Sequence, residues 1–423
     1  MVTTAHGTRA RRWRMLSSNH RGEGRTMKRN GLVIVGAVRT PIGAIGGALS
    51  GLQALDLSRQ VIAALLRATK IDPENVDYTA LGWVAQDARA PNIAKTAAEL
   101  AGVPPTVPGT TFHENCASSG AAIHSVARRI LLGEIRLGIA GGVESMSNIP
   151  RYLYAGRLKG QLYGDFQLVD GLFSALTDSH VAGGELMGLL TERLVEKYHC
   201  TREAQDEIAY LSHYNALATW ESGLFDGYVT PVELAQRRGD PKLVERDEGP
   251  RPITPEELSA AKPYFKKDGT ITTLNASSIN DGAAAVLLAS EQRAAELGLE
   301  PLAELVAWHN VGVPRELMGE GAFKVVPPLL ERAGVAIGDV DFFELNEAFA
   351  AVLAAAFAFL PELPRDRTNQ WGSGISLGHP VGATGARQVV DMVHQLRRRG
   401  GSLGVTSRCV GGGMGSGEVL LAR

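Results

Sequence analysis

Two stretches of this chain repeat one rhythm, short apolar β-branched runs alternating with helical patterns, and each stretch carries a cysteine in a glycine-rich turn. The first begins at Leu32-Val33-Ile34-Val35, includes a helical pattern over residues 55–69, and continues to Leu137-Gly138-Ile139-Ala140. The second resumes at residues 283–288 and runs through 302–307, a short helix over 328–333, a helix beginning near Asn346 and a closing strand over 418–421. Such alternation predicts an α/β protein with a largely parallel sheet. The two stretches are similar in length, which fits a duplicated architecture with one thiol from each half meeting at their interface. Between them the composition shifts. Residues 148–278 hold eight of the nine tyrosines, helical stretches over 185–198 and 202–222, and a charged, proline-dotted segment over 232–262. An inserted loop domain is expected there. The expected units are an N-terminal half over 30–147 completed by 279–300, the insert over 148–278, and a C-terminal half over 301–423.

With 423 residues and 44% hydrophobic composition the chain can bury a large core. Its most apolar run, residues 348–360, is too short for a membrane span and is followed by Pro361. Membrane insertion is therefore not expected. Three cysteines make no disulfide framework and show no metal-ligand spacing, pointing to a reducing compartment, a cytoplasmic location and no bound metal. Residues 1–29 carry eight Arg or Lys against Glu23, a local charge of +7 on a chain whose net charge is −2. This arm is expected to be a disordered basic extension, read as upstream sequence before a natural start at Met27; a transit peptide is the alternative. Nucleic acid is not an expected partner, because a charge run without an ordered aromatic platform is ordinarily just solvated.

The first thiol lies in Glu114-Asn115-Cys116-Ala117-Ser118-Ser119-Gly120, between a strand-like and a helix-like stretch. A helix N-terminus there would favour thiolate over thiol. The second lies in Ser407-Arg408-Cys409-Val410-Gly411-Gly412-Gly413, where backbone N–H groups can approach a developing oxyanion. His379 sits in a third turn, Gly378-His379-Pro380. Two thiols and an imidazole on separate turns suggest one covalent acyl site. Cys200 has no such turn and reads as structural.

From about Gly31 onward the chain resembles the thiolases, acetyl-CoA or 3-ketoacyl-CoA C-acyltransferases. The resemblance is carried by residues 37–43 (AVRTPIG), the Cys116 turn, 141–147 (GGVESMS), 275–282 (NASSINDG), 346–349 (NEAF), 378–385 (GHPVGATG) and 409–413 (CVGGG). Seven motifs in order are specific where one would be weak. The resemblance implies duplicated α/β halves in a layered α-β-α-β-α core with an inserted loop domain. It implies Cys116 as the nucleophile accepting an acyl group, His379 as its base, and Cys409 as the thiol exchanging the α-proton of acetyl-CoA. It further implies two oxyanion holes, one from His379 and a water held by Asn346, the other from the N–H groups of Cys116 and Gly411. Ser277 would lie near the pantetheine arm of CoA, Arg237 and Arg238 near its nucleotide end and Leu186 near the acyl-thioester, with Phe349 among the CoA-binding residues. CoA is then substrate and product, no separate cofactor is needed, and a homodimer or homotetramer is expected.

Each role has a plainer alternative in the local sequence. Asn346 reads equally as a helix N-cap, His379 as an exposed loop residue, Ser277 as a turn residue, and Arg237 with Arg238 as a solvated pair. The chain also departs from the pattern. Leu186 stands where many short-chain members carry histidine, which opens acyl chain length, and Ser373 and Ser376 precede the histidine turn where alanine or glycine is common. The competing activities are a medium-chain 3-ketoacyl-CoA thiolase of β-oxidation, a carrier-protein-dependent condensing enzyme, which has no need of Cys409, and a non-catalytic lipid- or CoA-binding relative, which would lack part of the set.

Overall fold

A computed structural model describes residues 27, 29–153, 165, 167–178 and 184–423. Most of the basic arm therefore lies outside the described residues. Arg29, placed in that arm from sequence, instead reaches the body, its Nε 2.9 Å from Glu304.

Nine principal strands form most of one ten-stranded sheet: β1 (Leu32–Arg39), β2 (Tyr78–Gly82), β3 (Gly109–Phe112), β4 (Leu137–Ser145), β5 (Asn280–Ser290), β6 (Ala303–Gly312), β7 (Phe342–Leu345), β8 (Leu403–Val410) and β9 (Met414–Ala422). Their order is β7-β8-β9-β6-β1-β5-β4-β2-β3, with a short strand, Gly43–Ala44, added beside β5. The two halves of this path join only where Val33 and Ile34 of β1 face Glu304 and Ala303 of β6.

The sheet is mixed, not largely parallel. Only β7/β8, β2/β3 and β2/β4 run parallel, while β1/β5, β5/β4, β6/β9, β8/β9 and β1/β6 are antiparallel. The expectation failed because a strand buried on both faces reads as a continuous apolar run whichever way it points. Direction is set by the connections. β8 and β9 are joined by a tight turn with Gly412 at φ 94° and Gly413 at φ 84°, which forces them antiparallel.

The longer helices among the described residues are α1 (Ala54–Thr69), α2 (Ile93–Leu100), α3 (Ser118–Leu131), α4 (Met187–Tyr198), α5 (Arg202–Glu221), α6 (Val326–Ala333), α7 (Ala350–Phe359) and α8 (Thr384–Arg399). Their starts and stops follow local chemistry. Asp56 accepts the Gln53 N–H at the head of α1 at 3.0 Å, Thr201 caps α5 through Ala204 N, and α8 ends at a left-handed Gly400 after Arg397, Arg398 and Arg399, whose charges suit a helix C-terminus. Three apolar clusters define the layers. One joins α1 and α2 to β1, β4 and β5; one holds α3 and α8 between the two halves of the sheet; one packs α4, α6 and α7 on β6 to β9. These are the layers of an α-β-α-β-α core. Cys200 lies in the third cluster, its sulfur 3.8 Å from Ala351 O, a structural position.

The segment between β4 and β5 is fastened to the core by buried charges. Arg39, at the end of β1, makes a two-pronged contact with Asp247 at 2.8 and 3.0 Å and reaches Asp391 of α8 at 2.9 Å. Trp220 of α5 donates to the same Asp247 at 3.2 Å. An arginine fork saturated by two carboxylates offsets the desolvation that one unpaired buried charge would impose.

Candidate active site

Three turns converge where α3 and α8 begin. The Cys116 turn is sharp: Asn115 adopts φ 45°, a left-handed conformation that asparagine tolerates, and Ser118 Oγ accepts the Glu114 N–H at 2.9 Å. Asn115 Nδ2 then donates to Gly411 O at 2.7 Å and so ties this turn to the Cys409 turn. His379 is placed by Asn280, whose Oδ1 accepts its backbone N–H at 2.9 Å.

His379 Nε2 lies 3.3 Å from Cys116 Sγ. On the other side of the ring, Nδ1 is 2.7 Å from Thr384 Oγ1, and that hydroxyl already donates to Pro380 O at 3.0 Å. A hydroxyl carries one proton, so it accepts from Nδ1–H, and the Nε2 lone pair faces the thiol. The imidazole is only 7% exposed, and burial, with a smaller contribution from Arg387, drives its pKa down to about 3. It is a neutral base. Thr384→Val is therefore expected to release the ring tautomer and lower kcat/KM about 10- to 100-fold with little change in KM, because only the orientation of the base is lost. A variant with unaltered kcat would remove Thr384 from that role.

The expected resting thiolate at Cys116 is corrected. Burial pushes the thiol up to about 11, against the N–H groups of Gly411 and of Cys116 itself and the charge of Arg408, which act in the other direction; Glu144 adds to the rise. Desolvation outweighs the helix terminus, so the sulfur rests protonated and needs His379. Cys409 is 1% exposed and is raised further, by burial first and by the charge of Cys116 second. Asn346 closes the cluster. It is fully buried at the end of β7, its N–H bonded to Ser407 O at 2.8 Å and its Nδ2 3.5 Å from His379 Nδ1. The residue capping α7 is Phe349, so the N-cap alternative for Asn346 falls away.

Other expected residues are placed less centrally. Ser277 is half-buried, its N–H on Ala348 O at 2.9 Å, and neighbouring Ala276 pairs with Phe349, whose ring meets Phe265 edge-on at 6.0 Å. Arg237 and Arg238 lie exposed in the loop of a two-stranded ribbon, Val232–Leu234 with Lys242–Val244, and no hydrogen bond described here links them to the cysteine turns. Leu186 is half-buried just ahead of α4. The side chain beside the Gly411 turn is that of its neighbour: Met187 Cε stands 3.3 Å from where a Gly411 Cβ would be. Sequence reasoning missed Met187, and it gave no role to Asn115, Asn280 or Thr384, although all three stand within the quoted motifs. Ser373 and Ser376 are buried in a polar network, Ser373 donating to Glu344 at 3.1 Å and Ser376 bonded to Ser212, which donates to Glu347 at 2.6 Å. Among the described residues, no helix is long and apolar enough to cross a membrane.

Comparison with known proteins agrees with this geometry. The family profile "Thiolase, N-terminal domain" matches residues 32–292, and "Thiolase, C-terminal domain" matches residues 299–422. A probable acetyl-CoA acyltransferase of Staphylococcus epidermidis is 41% identical over 394 residues, covering 92% of this chain and 98% of that protein. An acetyl-CoA acetyltransferase of Thiocystis violacea is 41% identical over 392 residues, covering 91% and 97%. The crystal structure of the Bacillus anthracis acetyl-CoA acetyltransferase superposes with TM-score 0.90 at 41% identity, covering 94% of this chain and all of that one. Human mitochondrial 3-ketoacyl-CoA thiolase superposes with TM-score 0.89 at 36% identity, covering 94% and 100%. With both family domains matched in order and their cysteine and histidine turns converging on one site, this chain belongs to the thiolase family.

Proposed function

We propose that the protein is an acetyl-CoA C-acetyltransferase, which condenses two acetyl-CoA molecules and cleaves acetoacetyl-CoA with CoA through an acyl group on Cys116. The observation that carries this reading is the His379 Nε2 lone pair 3.3 Å from a thiol towards which the Gly411 and Cys116 N–H groups are aimed. Nε2 takes the thiol proton as sulfur attacks the thioester carbonyl, and the oxyanion is held by the two N–H groups. Collapse expels the CoA sulfur, which takes the proton of Cys409. Cys409, now a thiolate, removes an α-proton from the incoming acetyl-CoA. The enolate oxygen is met by the proton on His379 and by a water on Asn346, whose Oδ1 is buried with no partner among the described residues. Carbon–carbon bond formation then breaks the Cys116 thioester, and Cys116 recovers its proton from His379. No redox or metal step is needed, and CoA enters and leaves as substrate. A cytoplasmic homodimer or homotetramer completes this reading. Thiolysis of acetoacetyl-CoA, with one acetyl mass appearing on the Cys116 peptide, tests it; absence of both would overturn it.

Acceptance of longer acyl chains is favoured by a specific observation. The wall beside Gly411 is the Met187 thioether, next to Leu186, and both are apolar. Each methylene that such a wall buries contributes up to ~0.8 kcal/mol. The expected result is measurable kcat/KM on C6 as well as C4 3-ketoacyl-CoA, with Leu186→His lowering the C6-to-C4 ratio. Activity confined to C4, or a ratio unmoved by the histidine, would remove Leu186 as a determinant of chain length.

A further inference from the structure

Arg408 precedes Cys409 on β8, points to the opposite face of the sheet and is fully buried. Its Nη2 donates to Glu418 of β9 and lies 3.4 Å from Thr406 Oγ1. Glu418 also accepts from the Thr406 hydroxyl at 2.5 Å and is 2.9 Å from His124 Nε2 of α3. Burial alone would raise the Glu418 carboxyl, but the Arg408 charge and the bonds from His124 and Thr406 prevail and hold it at about 2. One edge of the guanidinium is thus neutralised. Nε and Nη1 have no hydrogen-bond partner among the described residues although both are buried.

The free edge faces two helix starts. Nη1 stands 2.6 Å from where a Cβ on Gly120 would sit and 2.3 Å from where one on Gly385 would sit. Gly120 is in the first turn of α3, behind Cys116; Gly385 is in the first turn of α8, behind His379. The two turns are themselves joined, Ala386 N donating to Ser119 Oγ at 2.9 Å. Only glycine at both positions leaves room for the guanidinium. A cation is ordinarily unfavourable there, because helix N-termini already carry partial positive charge. Glu418 balances one edge of the cation, and Cys116, at the head of α3, is the group near the other edge that develops negative charge in the reaction.

We propose that Arg408, lodged between the N-terminal turns of α3 and α8, is an electrostatic positioning residue that supplies a fixed positive charge to the anionic sulfur of Cys116 and the oxyanion formed on it. The proposal rests on the assignment of Cys116 as nucleophile. The charge of Arg408 lowers the Cys116 thiol, whereas Glu144 raises it, so Arg408 is the one side-chain cation that opposes burial at that sulfur among its principal influences. The remaining titratable neighbours are His379 at 3.3 Å and Cys409, which is raised in turn by Cys116.

The test is the rate of iodoacetamide alkylation of the Cys116 peptide from pH 6 to 10, in wild type, Glu418→Gln and the charge-free double variant Arg408→Met with Glu418→Gln. Below the thiol midpoint the rate follows the thiolate fraction. Removing the cation is expected to slow alkylation about tenfold at pH 8, a shift of about one pH unit, with kcat falling and KM for CoA little changed. Glu418→Gln alone leaves Arg408 uncompensated and is expected to speed alkylation. Profiles in both variants that superimpose on wild type would overturn the proposal and leave Arg408 a structural ion pair. Should the double variant fail to fold, the single Glu418→Gln profile decides by the same criterion. Loss of acetylation of wild-type Cys116 would instead sink the nucleophile assignment, an outcome the alkylation profile does not share.

Discussion

Replacing Cys116 with alanine is expected to abolish the acetylated peptide and to lower thiolysis of acetoacetyl-CoA by at least about 10⁴-fold, since no other group can carry the acyl chain between the two CoA molecules. Cys200 cannot substitute, because its sulfur is buried against α7 in the third apolar cluster. The measurement is intact-protein and peptide mass after incubation with acetyl-CoA, together with steady-state rates. Acetyl mass found on Cys200, or turnover near the wild-type rate, would reassign the nucleophile. The fold should tolerate the change: the side chain is small and half-buried, and the turn is held by Asn115, Ser118 and the bond to Gly411 O rather than by the sulfur.

Cys409→Ala is expected to separate the two halves of the reaction. Some acetylation of Cys116 should persist, more slowly, because His379 and the N–H groups of Gly411 and Cys116 are untouched while the leaving CoA loses the proton that Cys409 supplies. Carbon–carbon bond formation and cleavage should fall by about 10²–10⁴-fold, the usual loss when a positioned acid–base group is removed. Single-turnover acetylation by mass, set against exchange of deuterium into acetyl-CoA, reads the two halves independently. Wild-type exchange in this variant would assign the proton carrier elsewhere.

The sequence by itself determined the repeated α/β rhythm, the insert, and the residues of the cysteine and histidine turns. Each of these is local: apolar periodicity, glycine turns and order along the chain survive without knowledge of neighbours. Strand direction was not legible, since the buried runs of β1 and β5 look alike in either orientation, and the glycines at 412 and 413 signalled a turn without saying which strands it paired. The protonation state of Cys116 depended on the tertiary structure for a similar reason. A helix start is visible at Ser118, but the burial that overrides its dipole needs turns distant in the chain, the His379 turn and the Cys409 turn to which Asn115 is tied. The same holds for the tautomer of His379, which Thr384 selects only because that hydroxyl is already committed to Pro380 O. Arg408 is the extreme case: in sequence it is one charged residue beside a cysteine, and only packing reveals its free edge between the starts of α3 and α8. Residue types and their spacing can be read along a chain. Desolvation and charge at a point belong to everything packed around it, and that is settled only when the chain has closed on itself.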